Sequence, residues 1–90
     1  MTRTRAVATA AEIRTNLLEF IERHAKAPVT ADVDLFASGL VSSLFALQLV
    51  MRVESAFGVT VEASDLTLDN FRTVDVITAL VLRLRRTGDG

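Results

Sequence analysis

Apolar residues recur at steps of three and four along three separate stretches of the chain, and this feature limits the fold more than any other. Such spacing places side chains on one face of an α-helix. The first stretch runs from Thr9 to about His24, with a stripe formed by Ile13, Leu17, Phe20, Ile21 and His24. The last begins after Thr73, a suitable N-cap, and its stripe contains Val74, Ile77, Leu80, Val81 and Leu84.

The middle stretch predicts a second long helix that begins at Ser42 and ends before Gly58. A serine hydroxyl can cap the first free amides of a helix, and a glycine readily adopts the left-handed conformation that closes one. The residues predicted to face the core are Leu44, Leu47, Val50, Met51 and Glu54, with Phe57 at the end. Those predicted to face outward are Phe45, Gln48, Arg52 and Ser55.

The connecting segments complete an all-α prediction. Pro28 ends the first helix, and residues 29–36 form a crossing loop in which Val33, Leu35 and Phe36 can enter the core. Residues 59–61 are too few for a sheet, whereas residues 68–71 predict one short helix. We therefore expect a small four-helix bundle, with three main helices and one short one, as a single domain over residues 1–90, frayed at 1–8 and 87–90.

Composition excludes several classes of function. Cysteine is absent, so disulfides and thiolate metal sites are impossible, and the five Phe are the only aromatic residues available for a nucleic-acid platform. Residues 31–75 carry seven Asp or Glu against two Arg, and an acidic centre favours basic protein partners over nucleic acid. The uncharged run of seventeen residues from Leu35 to Met51 falls short of the roughly 20 that span a bilayer. We expect a cytoplasmic protein with no membrane segment.

The residues that could support catalysis are few. His24 is the single histidine and has no partner in the pattern, so a structural imidazole at a helix end is the favoured interpretation. Asp32 and Asp34 could approach a cation, but a hydrated loop or a capping role is favoured because no further ligands follow at fixed spacing. We predict neither a metal site nor an enzyme.

The segment from Asp34 to Leu44, with sequence DLFASGLVSSL, resembles the acyl carrier family. In that family a modified serine opens the second helix, four residues after a glycine and directly before a leucine. Gly39, Ser43 and Leu44 match this arrangement, and the FGV at 57–59 and the NFRTV at 70–74 extend the resemblance over residues 12–84. The resemblance implies a 4′-phosphopantetheine arm, derived from coenzyme A, on Ser43.

One position departs from the family pattern, because Ser42 stands where the family usually has Asp before the modified serine. Ser42 is therefore a competing attachment residue. Ser43 is preferred because Leu44 completes the serine-leucine pair and keeps the apolar helix in register. The missing acid also removes a charge that would help the helix to begin, although Ser42 can still cap it.

The resemblance implies a non-catalytic carrier and several partner enzymes. These are a phosphopantetheinyl transferase, an acyl-loading enzyme or acyltransferase, and a polyketide synthase or extender-unit modifying enzymes. We expect a monomer whose partner-binding residues are Leu44, which also begins the apolar stripe, together with Phe45, Gln48, Arg52, Ser55, Glu62 and Asp65. A face with so few acids predicts more apolar contact than electrostatic attraction.

The sequences at 43–51 and 68–75 look like those of free-standing carriers of polyketide pathways, including carriers of methoxymalonyl-type extender units. A peptidyl or aminoacyl carrier of a nonribosomal pathway is the alternative cargo class. The alternative of a different kind is an unmodified helical protein-interaction module.

Overall fold

The computed structural model describes the backbone of residues 9–89 and the side chains of residues 9–86. Its α-helices are α1 (Ala10–Ala25), α2 (Ser43–Phe57), α3 (Leu68–Phe71) and α4 (Val74–Asp89), with a 3-10 turn at Ala63–Asp65. No strand occurs over this range. The prediction of an all-α bundle with three main helices and a short one is confirmed. Of the ends expected to fray, residues 1–8 and 90 lie outside the described range, and residues 87–89 belong to α4.

Side-chain caps begin the helices: Ser42 and Thr73 were predicted, whereas Thr9 was predicted only as the start of the first helical stretch. At α1 the Thr9 hydroxyl accepts a hydrogen bond from the Glu12 amide at 3.2 Å, and the Glu12 carboxylate accepts one from the Thr9 amide at 2.8 Å. This reciprocal pair satisfies two donors that the first turn leaves free. The Thr73 hydroxyl caps α4 by accepting from the Val76 amide at 3.0 Å.

Both long helices that precede loops end in the same way. Each closes on a residue in the left-handed conformation, Lys26 after α1 and Gly58 after α2. A glutamate in the last turn then accepts a hydrogen bond from the amide seven residues ahead: Glu22 from Val29 at 2.8 Å, and Glu54 from Val61 at 2.9 Å. Both valines are buried, so each carboxylate holds the departing chain against the core.

The loop between α1 and α2 crosses the bundle, as predicted, and is fixed to the opposite side by backbone hydrogen bonds. The Leu35 amide donates to the Arg72 carbonyl at 2.7 Å, and the Asp75 amide donates to the Ala31 carbonyl at 3.0 Å. Leu35 is fully buried, whereas Val33 and Phe36 pack against the core while remaining partly accessible. The loop therefore contributes to the core.

The core is mostly aliphatic but includes Phe45 and Phe71. It draws side chains from α1, α2, α4 and the loops between them, and α1 and α4 pack against each other. The predicted stripes supply its centre: Ile13, Leu17 and Ile21 from α1, and Val74, Ile77, Leu80 and Val81 from α4, all fully buried. An ion pair between Arg14 and Asp75, at 3.0 Å, joins the two helices at the surface. No helix of the described chain is both long enough and apolar enough to cross a bilayer.

The predicted orientation of α2 is wrong. Its buried residues are Phe45, Leu49 and Val53. Three of the residues predicted to face the core instead lie on the surface, with exposures of 74% for Leu44, 60% for Leu47 and 66% for Met51. Phe45, predicted to face outward, is only 3% exposed, and Arg52 is half-buried.

The physical reason is that α2 is apolar on nearly every side, so its sequence contains two overlapping stripes with helical spacing. Contacts with α1 decide between them. The Phe45 ring stacks on His24 with centroids 3.6 Å apart and on Phe20 at 5.4 Å. The Arg52 guanidinium lies 5.1 Å from the centre of the Phe20 ring and donates from Nε to the Asn16 side-chain oxygen at 3.1 Å.

This orientation predicts a large loss of stability for one substitution and almost none for its neighbour. Phe45→Ala should lower the free energy of unfolding by about 3–5 kcal/mol, because it removes a buried aromatic ring. Leu44→Ala should change it by about 0.5 kcal/mol or less, because the leucine is largely in solvent. Urea unfolding followed by circular dichroism measures both, and a larger loss for Leu44→Ala would support the rotation that the sequence predicts.

Candidate functional site

Ser43 is the first residue of α2 and is exposed to solvent. Within residues 9–86, no other group forms a hydrogen bond with its hydroxyl. The helix that begins here contains no acidic residue in its first turn. Because free amides give a helix N-terminus a partial positive charge, an anionic ester on this oxygen would be electrostatically favoured.

The neighbouring Ser42 has a different environment. It is the N-cap of α2, with extended backbone angles, and its hydroxyl oxygen accepts a hydrogen bond from the Phe45 amide at 3.1 Å. A side-chain cap of this type contributes about 1 kcal/mol to helix stability. Of the two adjacent hydroxyls, one therefore helps to begin the helix and the other is available for chemistry.

A tight turn before α2 brings these serines to the surface. One oxygen of the Asp34 carboxylate accepts hydrogen bonds from the amides of Phe36 and Ala37, at 3.1 and 2.8 Å. Gly39 has a φ of +81°, a conformation that residues with a side chain rarely adopt. The chain then returns so that the Val41 amide donates to the Leu35 carbonyl at 3.0 Å.

Arg72 connects this turn to α3. Its guanidinium lies 2.9 Å from the Asp69 carboxylate and 3.9 Å from that of Asp34. All three side chains are substantially exposed, and exposed ion pairs contribute little stability. The hydrogen bonds that Asp34 accepts from the backbone are therefore the more important constraint on the turn.

An apolar groove of about 240 Å³ adjoins Ser43. It lies between α2, the loop before it and the segment around α3. Its walls are formed by Phe36, Ala46, Leu47, Val50, Leu66, Thr67, Leu68 and Phe71. A group attached to Ser43 thus leaves the protein beside a surface that can shelter hydrocarbon from water.

Comparison with protein families matches residues 11–81 to the phosphopantetheine attachment site family. The match covers nearly all of α1, the turn before α2, α2 itself and the first half of α4. The chain belongs to the acyl carrier protein family. A search of curated proteins finds no significant match.

The prosthetic group of the carrier is a covalently bound 4′-phosphopantetheine. The described residues fit such a group. Ser43 offers an accessible hydroxyl at a helix N-terminus, the Ser42 hydroxyl caps that helix instead, and the adjacent groove can accommodate an apolar chain. Carrier domains of this family generally act without catalytic groups of their own.

The carrier does not present all the predicted partner-binding residues together. Leu44, Gln48, Ser55 and Glu62 are exposed. Asp65 is half-buried, and its carboxylate accepts a hydrogen bond from the Glu62 amide at 3.4 Å.

Two predicted members of the partner surface do not face outward. Phe45 is buried against α1, so a partner that meets the folded carrier cannot reach its ring. Arg52 is half-buried and is bonded to Asn16.

The residues considered for other chemistry have structural contacts in the carrier. His24 is exposed, and its ring stacks on Phe45. Asp34 caps the turn, as the sequence predicted, and Asp32 accepts a hydrogen bond from the Thr30 hydroxyl at 2.8 Å. Nowhere in the described chain do three or more potential ligands gather to hold a metal ion.

Sequence reasoning missed the exposed strip on α2 and the apolar groove. The groove walls come from three separate segments, so no local spacing reveals them. A signal for the strip was available, because Leu44, Leu47 and Met51 also lie at helical spacing, but the sequence alone assigned that stripe to the core.

The turn before α2 generates a prediction with an internal control. Asp34→Ala should lower the free energy of unfolding by about 1 kcal/mol, because two backbone amides lose their acceptor. Asp32→Ala, two residues away, should change it by about 0.5 kcal/mol or less, because that carboxylate bonds only an exposed hydroxyl. Equal losses for the two variants in urea titrations would contradict the importance of the turn.

Proposed function

We propose that this chain is a non-catalytic carrier that holds acyl groups as thioesters on a phosphopantetheine arm attached to Ser43. The observation that supports this most strongly is the exposed Ser43 hydroxyl at the first position of α2, which has no hydrogen-bond partner among residues 9–86 and lies inside the region that matches the family. The arm supplies a thiol that forms thioesters. The folded chain supplies the anchor and a surface for partner enzymes.

Ser43 is preferred to Ser42 as the attachment residue for a structural reason. Converting the Ser42 hydroxyl to a phosphate ester would weaken the hydrogen bond that its oxygen accepts from the Phe45 amide. The Phe45 side chain is also buried close to that amide, so the cap and the packing of α2 would be disturbed together. Modification of Ser43 leaves both unchanged.

The chemistry of attachment requires a proton acceptor. The Ser43 oxygen must form a bond to phosphorus and lose its proton while the pyrophosphate bond of coenzyme A breaks and adenosine 3′,5′-bisphosphate leaves. In the described part of the chain, neither a carboxylate nor an imidazole forms a hydrogen bond with that hydroxyl. The transferase must therefore provide the proton acceptor, and the carrier provides a nucleophile held at a favourable electrostatic position.

The contribution of a carrier to later reactions is proximity. A flexible tether gives the attached group an effective concentration on the order of millimolar at a docked active site. The groove beside Ser43 can take up part of a hydrocarbon chain between such encounters. No reacting group is required from the carrier for either effect.

We assign the cargo to polyketide biosynthesis, including extender units. The resemblance of residues 43–51 and 68–75 to free-standing carriers of such pathways supports this assignment. The partners are then the transferase, an acyl-loading enzyme or acyltransferase, and a polyketide synthase or an extender-unit modifying enzyme. A cytoplasmic, monomeric carrier is part of the same proposal.

The attachment is tested by incubating the purified chain with coenzyme A and a promiscuous phosphopantetheinyl transferase. Intact mass spectrometry should find one added arm on the wild type, none on Ser43→Ala and one on Ser42→Ala. The last variant should also be less stable by about 1 kcal/mol, because the cap is lost.

Two results would contradict this proposal. A wild type that remains bare would favour an unmodified interaction module. Modification of Ser43→Ala, together with loss of modification in Ser42→Ala, would move the attachment to Ser42.

A further inference from the structure

A row of three side chains on α1 contacts α2 at two places. We use the name α1 ridge for Asn16, Phe20 and His24, which lie at steps of four residues and therefore on one face of the helix. At one end of the ridge, Asn16 accepts a hydrogen bond from Arg52 at 3.1 Å, and the Arg52 guanidinium lies 5.1 Å from the centre of the Phe20 ring. At the other end the contact is with Phe45, in the first turn of α2.

His24 is the ridge residue that approaches this first turn most closely. Its ring is within 12° of parallel to the Phe45 ring, with centroids 3.6 Å apart, whereas the Phe20 ring stacks on Phe45 at 5.4 Å. Phe45 is only 3% exposed, although His24 itself is exposed. Removal of the imidazole would therefore uncover part of the Phe45 ring and break an aromatic stack.

Phe45 connects the stack to the attachment serine through the backbone of the first turn. Its amide donates to the Ser42 hydroxyl at 3.1 Å, and the Ala46 amide donates to the Ser42 carbonyl at 3.0 Å. These two hydrogen bonds close the turn that contains Ser43. The Ser43 hydroxyl has no hydrogen-bond partner among residues 9–86, so its direction depends on the geometry of this turn.

We propose that His24 is a positioning residue for the attachment serine. Its ring, stacked on Phe45, holds the first turn of α2 closed and thereby fixes where the Ser43 hydroxyl is presented to a transferase. The Ser42 cap is a second support of the same turn, because cap and stack must both break when the turn opens. This inference rests on the proposed attachment at Ser43. His24 acts only through Phe45 and takes no part in the chemistry.

Opening of the turn is measured by hydrogen exchange of the Phe45 and Ala46 amides in the unmodified protein, followed by NMR. The Ile77 and Leu80 amides, in the core of α4, report global unfolding. His24→Ala should speed exchange at Phe45 and Ala46 about three- to tenfold, because opening the turn no longer breaks an aromatic stack. His24→Phe should restore the wild-type rates, because a phenyl ring can stack in the same place.

Arg52→Ala is the matched control, because Arg52 contacts the other end of the α1 ridge. This variant should speed exchange at Ile77, since it lowers global stability, and should leave exchange at Phe45 unchanged. Unchanged exchange at Phe45 in His24→Ala would show that the stack does not hold the turn. An equal rise at Phe45 and Ile77 in Arg52→Ala would show that the turn opens only with the whole protein. Either result would overturn the inference.

A background without the cap tests whether the turn matters for modification. The kcat/KM of a transferase for the carrier, with coenzyme A saturating, should be at least about threefold lower for Ser42→Ala/His24→Ala than for Ser42→Ala, because a turn with neither support is open for much of the time. Ser42→Ala/His24→Phe should keep the Ser42→Ala value. Circular dichroism establishes that both double variants are folded.

Equal kcat/KM values for the two double variants would overturn the positioning role while the carrier is still modified. A wild type that no transferase modifies would overturn the proposed function instead. The exchange rates would then still decide whether His24 holds the turn, because they are measured without modification.

Discussion

The burial of Phe45 against α1 fixes the rotation of α2, and the remaining features of the site depend on that rotation. With Phe45 stacked on His24 and Phe20, Leu49 and Val53 also turn inward. Ser43, two residues earlier, is then left at the surface. The same rotation exposes Leu44, Leu47 and Met51. The packing of one aromatic side chain, Phe45, thus determines which side of this helix partner enzymes can reach.

A second constraint fixes where α2 begins. Leu35 is buried, and its amide donates a hydrogen bond to the Arg72 carbonyl. The Asp34 carboxylate accepts hydrogen bonds from two amides of the following turn. Gly39 supplies the positive φ that redirects the chain towards Ser42. Each residue of the leucine, glycine and serine motif therefore has a structural role in the turn that leads into α2. The motif forms a hydrogen-bonded turn into a helix N-terminus, where the Ser42 hydroxyl is the cap and the Ser43 hydroxyl has no hydrogen-bond partner among residues 9–86.

The sequence was sufficient to predict the helix ends, because those depend on residues close along the chain. Ser42, Thr73 and Gly58 act as caps through local hydrogen bonds or through their own backbone preference. The buried faces of α1 and α4 were also predictable, since polar residues mark their opposite sides. The family and its prosthetic group followed from the motif around Ser43.

The rotation of α2 could not be predicted in the same way. Ten of its fifteen residues are apolar, so periodicity supports two orientations almost equally. The choice depends on Phe20 and His24, which are more than twenty positions away in sequence. One argument for Ser43 consequently changes. The sequence favoured it because Leu44 seemed to continue the core stripe, whereas the structure favours it because Ser42 is occupied as a cap.

The burial of two loop valines was also hidden from the sequence. The Glu22 and Glu54 carboxylates accept hydrogen bonds from the Val29 and Val61 amides, respectively. In each pair the two residues are seven positions apart, a separation that matches no common capping pattern. Residues 59–61 showed only that no sheet was to be expected. Their alternation becomes informative once the core is known, because Val59 and Val61 face inward and Thr60 faces solvent.

The most direct measurement is peptide mapping of the carrier isolated from cells that make its pathway enzymes. Trypsin should release residues 27–52 as one peptide, because no Lys or Arg lies between Lys26 and Arg52. Fragmentation of this peptide separates Ser42 from Ser43 and gives the mass of any group on the arm. Our account predicts the arm on Ser43, with acyl groups in thioester linkage and Ser42 unmodified. An arm on Ser42, or a peptide that is always bare, would contradict it.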